Sequence, residues 1–98
     1  MALNRKLTPV LAGRTVQSVS QENNMLWITF ADGSVMKVKT SAGGSNEAIT
    51  GRAVNRVRQA GNTMNIDFAD GTSLAVALAE PTSSVMLRDK NGVMEYAD

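Results

Sequence analysis

Residues 25–38 read MLWITFADGSVMKV, and residues 63–76 read TMNIDFADGTSLAV. The offset of 38 holds without a gap from Gly13/Gly51 to Thr40/Leu78, and 12 of those 28 pairs are identical. A repeat this regular speaks to architecture before it speaks to chemistry. A 38-residue unit is too short to bury a core of its own, so the two copies are expected to share one.

The first half of each stretch alternates. Leu26, Ile28 and Phe30 fall on one side, with Met25, Trp27 and Thr29 on the other; Met64, Ile66 and Phe68 oppose Thr63, Asn65 and Asp67. Period-two alternation marks a strand with one buried face. Parity then fixes the Ala-Asp-Gly turn. A two-residue Asp32-Gly33 loop would set Lys37 opposite Ile28, with its charge in the core. A three-residue loop, Ala31-Asp32-Gly33, pairs Ile28 with Met36 and Leu26 with Val38, so the larger apolar residues share a face. Such loops want a left-handed residue third, where Gly33 and Gly71 stand. Asp32 and Asp70 are therefore read as turn residues that accept a nearby backbone N–H.

Upstream, Asn23-Asn24 and Gly61-Asn62 suit two-residue hairpin turns. That register sets Val19 opposite Ile28 and Val57 opposite Ile66. Before them lie strands at 15–22 and 53–60, whose valines are three apart, at 16 and 19 and at 54 and 57. A bulge puts both valines of a strand on one face. Earlier still, Thr8-Pro9 predicts a short helix, with Thr as cap and Pro at the first position, ended by Gly13. Ser45 and residues 46–50 repeat the plan before Gly51. Downstream, VMLRDK-NG-VMEYA predicts a C-terminal hairpin around Asn91-Gly92. A two-residue loop there faces Arg88 with Glu95 and Leu87 with Tyr96; a three-residue loop is the alternative.

The expected fold is mainly β: a small barrel or two packed antiparallel sheets. It is built from two pseudo-symmetric 38-residue β-meander repeats plus a C-terminal hairpin, with two short helical turns. The expectation is one domain over 1–98, with repeat one at 9–40, a connector at 41–46, repeat two at 47–78 and the hairpin at 84–97. The hairpin has no counterpart in the first copy, so it covers an open strand edge or pairs with another subunit.

Composition narrows the function. The 98 residues include no Cys and no His. The commonest general base and metal ligand are thus missing, as are thiolate chemistry and disulfides. Hydroxyls are present without a histidine to activate them. The chain is read as a non-enzyme, with no cofactor, no metal and no small-molecule substrate. Arg5 and Lys6 are followed by few apolar residues, so no signal peptide is expected. No apolar run approaches the roughly 18 residues that span a bilayer. A cytoplasmic protein without membrane contact is the expectation.

Two binding readings remain. Residues 1–58 carry eight Lys/Arg against three Asp/Glu, and residues 59–98 carry two against six. One reading is a nucleic-acid-binding small barrel that uses Arg14, Lys37, Lys39, Arg52, Arg56 and Arg58, with Trp27 to stack a base. Its bland counterpart is solvated strand faces, with Arg14 and Arg52 bracing equivalent turns and Arg56 in a surface ion pair with Asp67. The other reading is protein interaction. The outer row of the first copy holds Met25, Trp27 and Val35, with Lys37 opposite Trp27 and Lys39 opposite Met25. The matching row of the second copy is polar or small. Trp and Met are enriched at interface centres. A protein partner or a second copy of the chain is preferred over nucleic acid.

Overall fold

Each copy takes its register from two turns. In a computed structural model that describes residues 2–41 and 49–98, the Asn23-Asn24 turn pairs Glu22 with Met25, and Gly61-Asn62 pairs Ala60 with Thr63. At the Ala-Asp-Gly turn the Phe30 N–H donates to the Ser34 carbonyl at 2.8 Å, and the Phe68 N–H to the Thr72 carbonyl at 2.8 Å. Both turns are three-residue loops, with Gly33 at φ +90° and Gly71 at φ +89°.

The strands are β1 (Ala2–Leu3), β2 (Val16–Glu22), β3 (Met25–Phe30), β4 (Val35–Lys39), β5 (Val54–Ala60), β6 (Thr63–Phe68), β7 (Ser73–Ala77), β8 (Val85–Arg88) and β9 (Met94–Ala97). One helix, α1 (Thr8–Leu11), follows β1. They form a four-stranded sheet, β1-β5-β6-β7, and a five-stranded sheet, β2-β3-β4-β8-β9, both antiparallel. The expected Val19–Ile28 and Val57–Ile66 pairs are present, with a register shift after Val16 and after Val54. Isolated antiparallel bridges, Thr15–Ala53 and Thr40–Leu78, link the two sheets. No helix among the described residues is long and apolar enough to cross a membrane.

The inner faces meet in one core. Ile28 and Ile66 are each 1 % exposed, and Phe30, Met36, Val57 and Met64 are equally sealed. Val85 and Leu87 of β8 enter the same cluster, as do Leu7 and Leu11 from the N-terminal segment. Burying a side chain of this size contributes roughly 1.5–3 kcal/mol.

Four expectations need correction. Thr8 is not the helix cap: it is the first helical residue, after Leu7 at the cap position. The Thr8 hydroxyl accepts the Val57 N–H at 3.0 Å and donates to the Val57 carbonyl at 3.2 Å, because the edge of β5 needs partners there. Asn4 Oδ1 accepts the Lys6 and Leu7 N–H groups instead. Second, residues 2–3, outside every expected element, form a strand: β1 pairs Ala2 with Gln59 and Leu3 with Arg58. Two residues are too few to carry a periodic signal.

Third, the C-terminal loop is the three-residue alternative, so the Arg88–Glu95 pairing of the two-residue loop is not made. The Asp89 N–H donates to the Val93 carbonyl at 2.9 Å, and Gly92, third in the loop, has φ +81°. Asp89 Oδ1 accepts the Asn91 and Val93 N–H groups, each at 2.9 Å, which fixes the longer loop. A register shift then keeps Leu87 opposite Tyr96 but pairs Arg88 with Met94 rather than Glu95. Fourth, Asp67 is no surface partner: it is 7 % exposed, and it accepts from Arg56, Arg58 and Ser73. Ser45, residues 46–48 of the second helical turn and most of the 41–46 connector lie outside the described residues, and residues 49–50 are not helical.

Candidate functional site: the outer face of the five-stranded sheet

The register of the five-stranded sheet places its outward side chains in rows. One row runs Ser20, Trp27, Lys37, Met86, Ala97 across β2, β3, β4, β8 and β9. The next runs Thr29, Val35, Arg88, Met94, and on the other side Glu22, Met25 and Lys39 stand together. Alternation of burial along β3 and β4 confirms that these residues point away from the core. Trp27 is 36 % exposed and Met94 45 %. Met25, Val35 and Met86 are partly buried among their neighbours.

Lys37 sits at the centre of this face. Its ammonium lies 5.1 Å from the centroid of the Trp27 ring. A cation so placed over an indole is worth about 0.5–1 kcal/mol at an exposed site. Shallow grooves flank the pair: one is lined by Met25, Asn24 and Lys39, the other by Val35, Met86 and Arg88. The surface offers apolar area, one flat aromatic and three cations.

The five residues expected to form an interaction surface, Met25, Trp27, Val35, Lys37 and Lys39, share this face. The C-terminal hairpin joins β4 edge to edge and leaves the row uncovered. Met86, Arg88 and Met94 were missed. The alternation of Val85 and Leu87 with Met86 and Arg88 signals an outward pair, but nothing in the sequence says that β8 lies beside β4.

The six cations of the nucleic-acid reading are distributed differently. Lys37 and Lys39 belong to the five-stranded sheet, whereas Arg56 and Arg58 stand on β5 of the other sheet. Arg56 Nε donates to Asp67 at 2.8 Å and Arg58 Nε at 2.6 Å. The Arg58 guanidinium, joined by the Ser73 hydroxyl and Arg56, holds the Asp67 carboxyl far below the usual carboxylate range, against the opposing effect of burial. Arg14 and Arg52 each stand 3.5 Å from the aspartate of their own Ala-Asp-Gly turn, Asp32 and Asp70. Arg14 also makes a paired contact with Glu95, at 2.8 and 2.9 Å, which raises its own pKa, and donates to the Val10 carbonyl at 3.0 Å. Arg52 donates to Thr72 Oγ1 at 2.7 Å.

Asp32 accepts the Ser34 hydroxyl at 2.5 Å and N–H at 2.9 Å; Asp70 accepts the Thr72 hydroxyl at 2.5 Å and N–H at 3.0 Å. These bonds lower both carboxyls' pKa values. Each aspartate thus closes its turn, and each arginine braces it. Among the described residues no group of three or more carboxylates gathers to hold a metal ion. No protein-family model, curated protein or solved structure matches this chain.

Proposed function

We propose that the chain is a non-enzymatic, cytoplasmic β module that works by binding a protein, either another chain or its own copy. The contact surface is the outer face of the five-stranded sheet. One observation carries this reading: Trp27, at 36 % exposure, centres an apolar and cationic patch drawn from β3, β4, β8 and β9. The corresponding face of the second copy has Asn65 where the first has Trp27. Contiguous exposed apolar surface usually marks a contact site. On this reading the scaffold is two copies of one unit about a pseudo-twofold axis. Reciprocal bonds support it: the Gly13 N–H donates to the Val54 carbonyl and the Gly51 N–H to the Val16 carbonyl, both at 2.8 Å.

The test is photo-crosslinking in the cells that make the protein, with a benzophenone amino acid at position 27 or, as control, at position 65. The expected result is a protein adduct from position 27 that position 65 does not give. Adducts that vanish on nuclease treatment would replace this reading with the nucleic-acid one. Equal yields from both positions would refute a surface specific to the first copy.

A further inference from the structure

Among the described residues β7 ends the four-stranded sheet with an open edge, and we propose that two copies of this chain associate there through antiparallel β7–β7 pairing centred on Ala75. The inference stands apart from the Trp27 face, which lies on the other sheet. It starts from a comparison of edges. β4 and β7 occupy equivalent places in the two copies, yet β4 has β3 and β8 as neighbours while, among the described residues, β7 has only β6. What a strand does at such an edge is visible on β4. There the Lys39 N–H donates to the Ser84 carbonyl at 2.8 Å, and Lys37 and Val35 pair with Met86 and Arg88.

The same groups on β7 belong to Ser73, Ala75 and Ala77. The Thr72 carbonyl and Leu78 N–H bond the β6 side, so alternate residues turn their N–H and C=O outward. The Ala77 carbonyl accepts the Ser41 N–H at 3.0 Å. Open strand edges are normally guarded by charge, proline, a bulge or brevity. The other edges have such guards: β1 has two residues, β2 has a register shift and Glu22, and β9 has an irregular register and Glu95. β7 reads SLAVA, with no charge, no proline and a regular register.

The occupant follows from that sequence. An antiparallel dyad at Ala75 sets Ala75 against itself, Ser73 against Ala77 and Leu74 against Val76. No like charges meet, and every outward side chain is small. Two of the four-stranded sheets then run on as one, with a Trp27 face on each copy. Five residues a side fall short of the ~1,200 Å² that stable interfaces bury, so the association is concentration-dependent.

Sedimentation equilibrium across a concentration series tests this on the native chain, Ala75→Lys, Ala75→Glu and Trp27→Ser, each first checked for native circular dichroism. Position 75 is exposed, so neither charge disturbs the core. The expected result is a reversible dimer of the native chain and of Trp27→Ser. Each charged variant is monomeric alone, and an equal mixture of the two recovers the dimer, because the dyad then sets an ammonium against a carboxylate where like charges met before. Should a charged variant misfold, amide exchange at Ala75 of the native chain decides: it slows with concentration if the pairing forms. A native chain monomeric to millimolar concentration, a dimer that survives Ala75→Lys, a dimer lost in Trp27→Ser, or concentration-independent exchange at Ala75 would each overturn the proposal.

Discussion

Gly33 and Gly71 are the same residue in the two copies, yet replacing them should not cost the same. Both backbones are left-handed, at φ +90° and +89°. An L side chain at either pays the steric cost of that region, about 1–2 kcal/mol. Their surroundings differ. A Cβ on Gly71 meets nothing within 4 Å, whereas a Cβ on Gly33 lies 2.8 Å from the Lys90 Cβ. That neighbour is fixed to the backbone of the β8–β9 loop and cannot swing away. Overpacking of this kind adds about 1–3 kcal/mol. Gly71→Ala should therefore lose about 1–2 kcal/mol, and Gly33→Ala about 2–5 kcal/mol. At about 4–8 °C per kcal/mol for a domain this small, the two melting points should differ by about 4–24 °C. Thermal and urea unfolding followed by circular dichroism measure both. Lys90→Gly removes the obstructing Cβ, so in a double-mutant cycle with Gly33→Ala it should recover most of the excess. Equal losses at the two glycines, or a cycle without coupling, would refute the idea that the C-terminal hairpin rests on the first copy's turn.

Ile28→Ala and Ile66→Ala should each cost ~2–5 kcal/mol in urea unfolding, because both side chains are sealed in one core; a loss below ~1 kcal/mol at either would place that residue outside it. Asp67 has a folded pKa below the ordinary 3.8, so its contribution is complete above that value and disappears as pH falls through the folded one. Asp67→Asn should accordingly lower stability at neutral pH and flatten the acid limb of the stability profile, and an unchanged acid limb would show that the Arg56–Arg58 clamp contributes nothing. Nucleic-acid affinity, measured by salt titration with mixed single- and double-stranded DNA and RNA, should be absent even at low salt; binding that falls steeply with salt and is lost on charge reversal at Lys37 and Lys39 would reinstate the basic-face reading.

Much of the fold was legible because turn geometry and parity constrain one another. Lys37 cannot sit opposite Ile28, so the Ala-Asp-Gly loop must have three residues, and the remaining pairs of β3 and β4 follow. The same logic did not decide at Asn91-Gly92, where two- and three-residue loops both gave acceptable partners. There the Asp89 carboxylate, a local hydrogen-bonding choice invisible to parity, selected the longer loop. Which edge a terminal segment joins was not legible at all. Ala2 and Leu3 are too short for a pattern, and β8 could have completed either copy. The candidate surface was half legible for that reason: β3 and β4 supplied Met25, Trp27, Val35 and the lysines, while Met86, Arg88 and Met94 arrived with the hairpin. Burial of Asp67 was missed because a carboxylate on an outer face reads as solvated until two arginines and a serine close over it.

The bridges between the sheets bear on descent. Thr15 pairs with Ala53 and Thr40 with Leu78, and each partner is the other's counterpart 38 positions away. On the pseudo-twofold reading, a short chain carrying one copy has the groups to close the same bridges with an identical second chain. Fusion of two such genes would then need no new contact between the halves, only a tether. Once joined, the halves could drift apart in sequence. One could acquire an aromatic surface while the other kept a plain one, a division of labour that a pair of identical chains cannot reach.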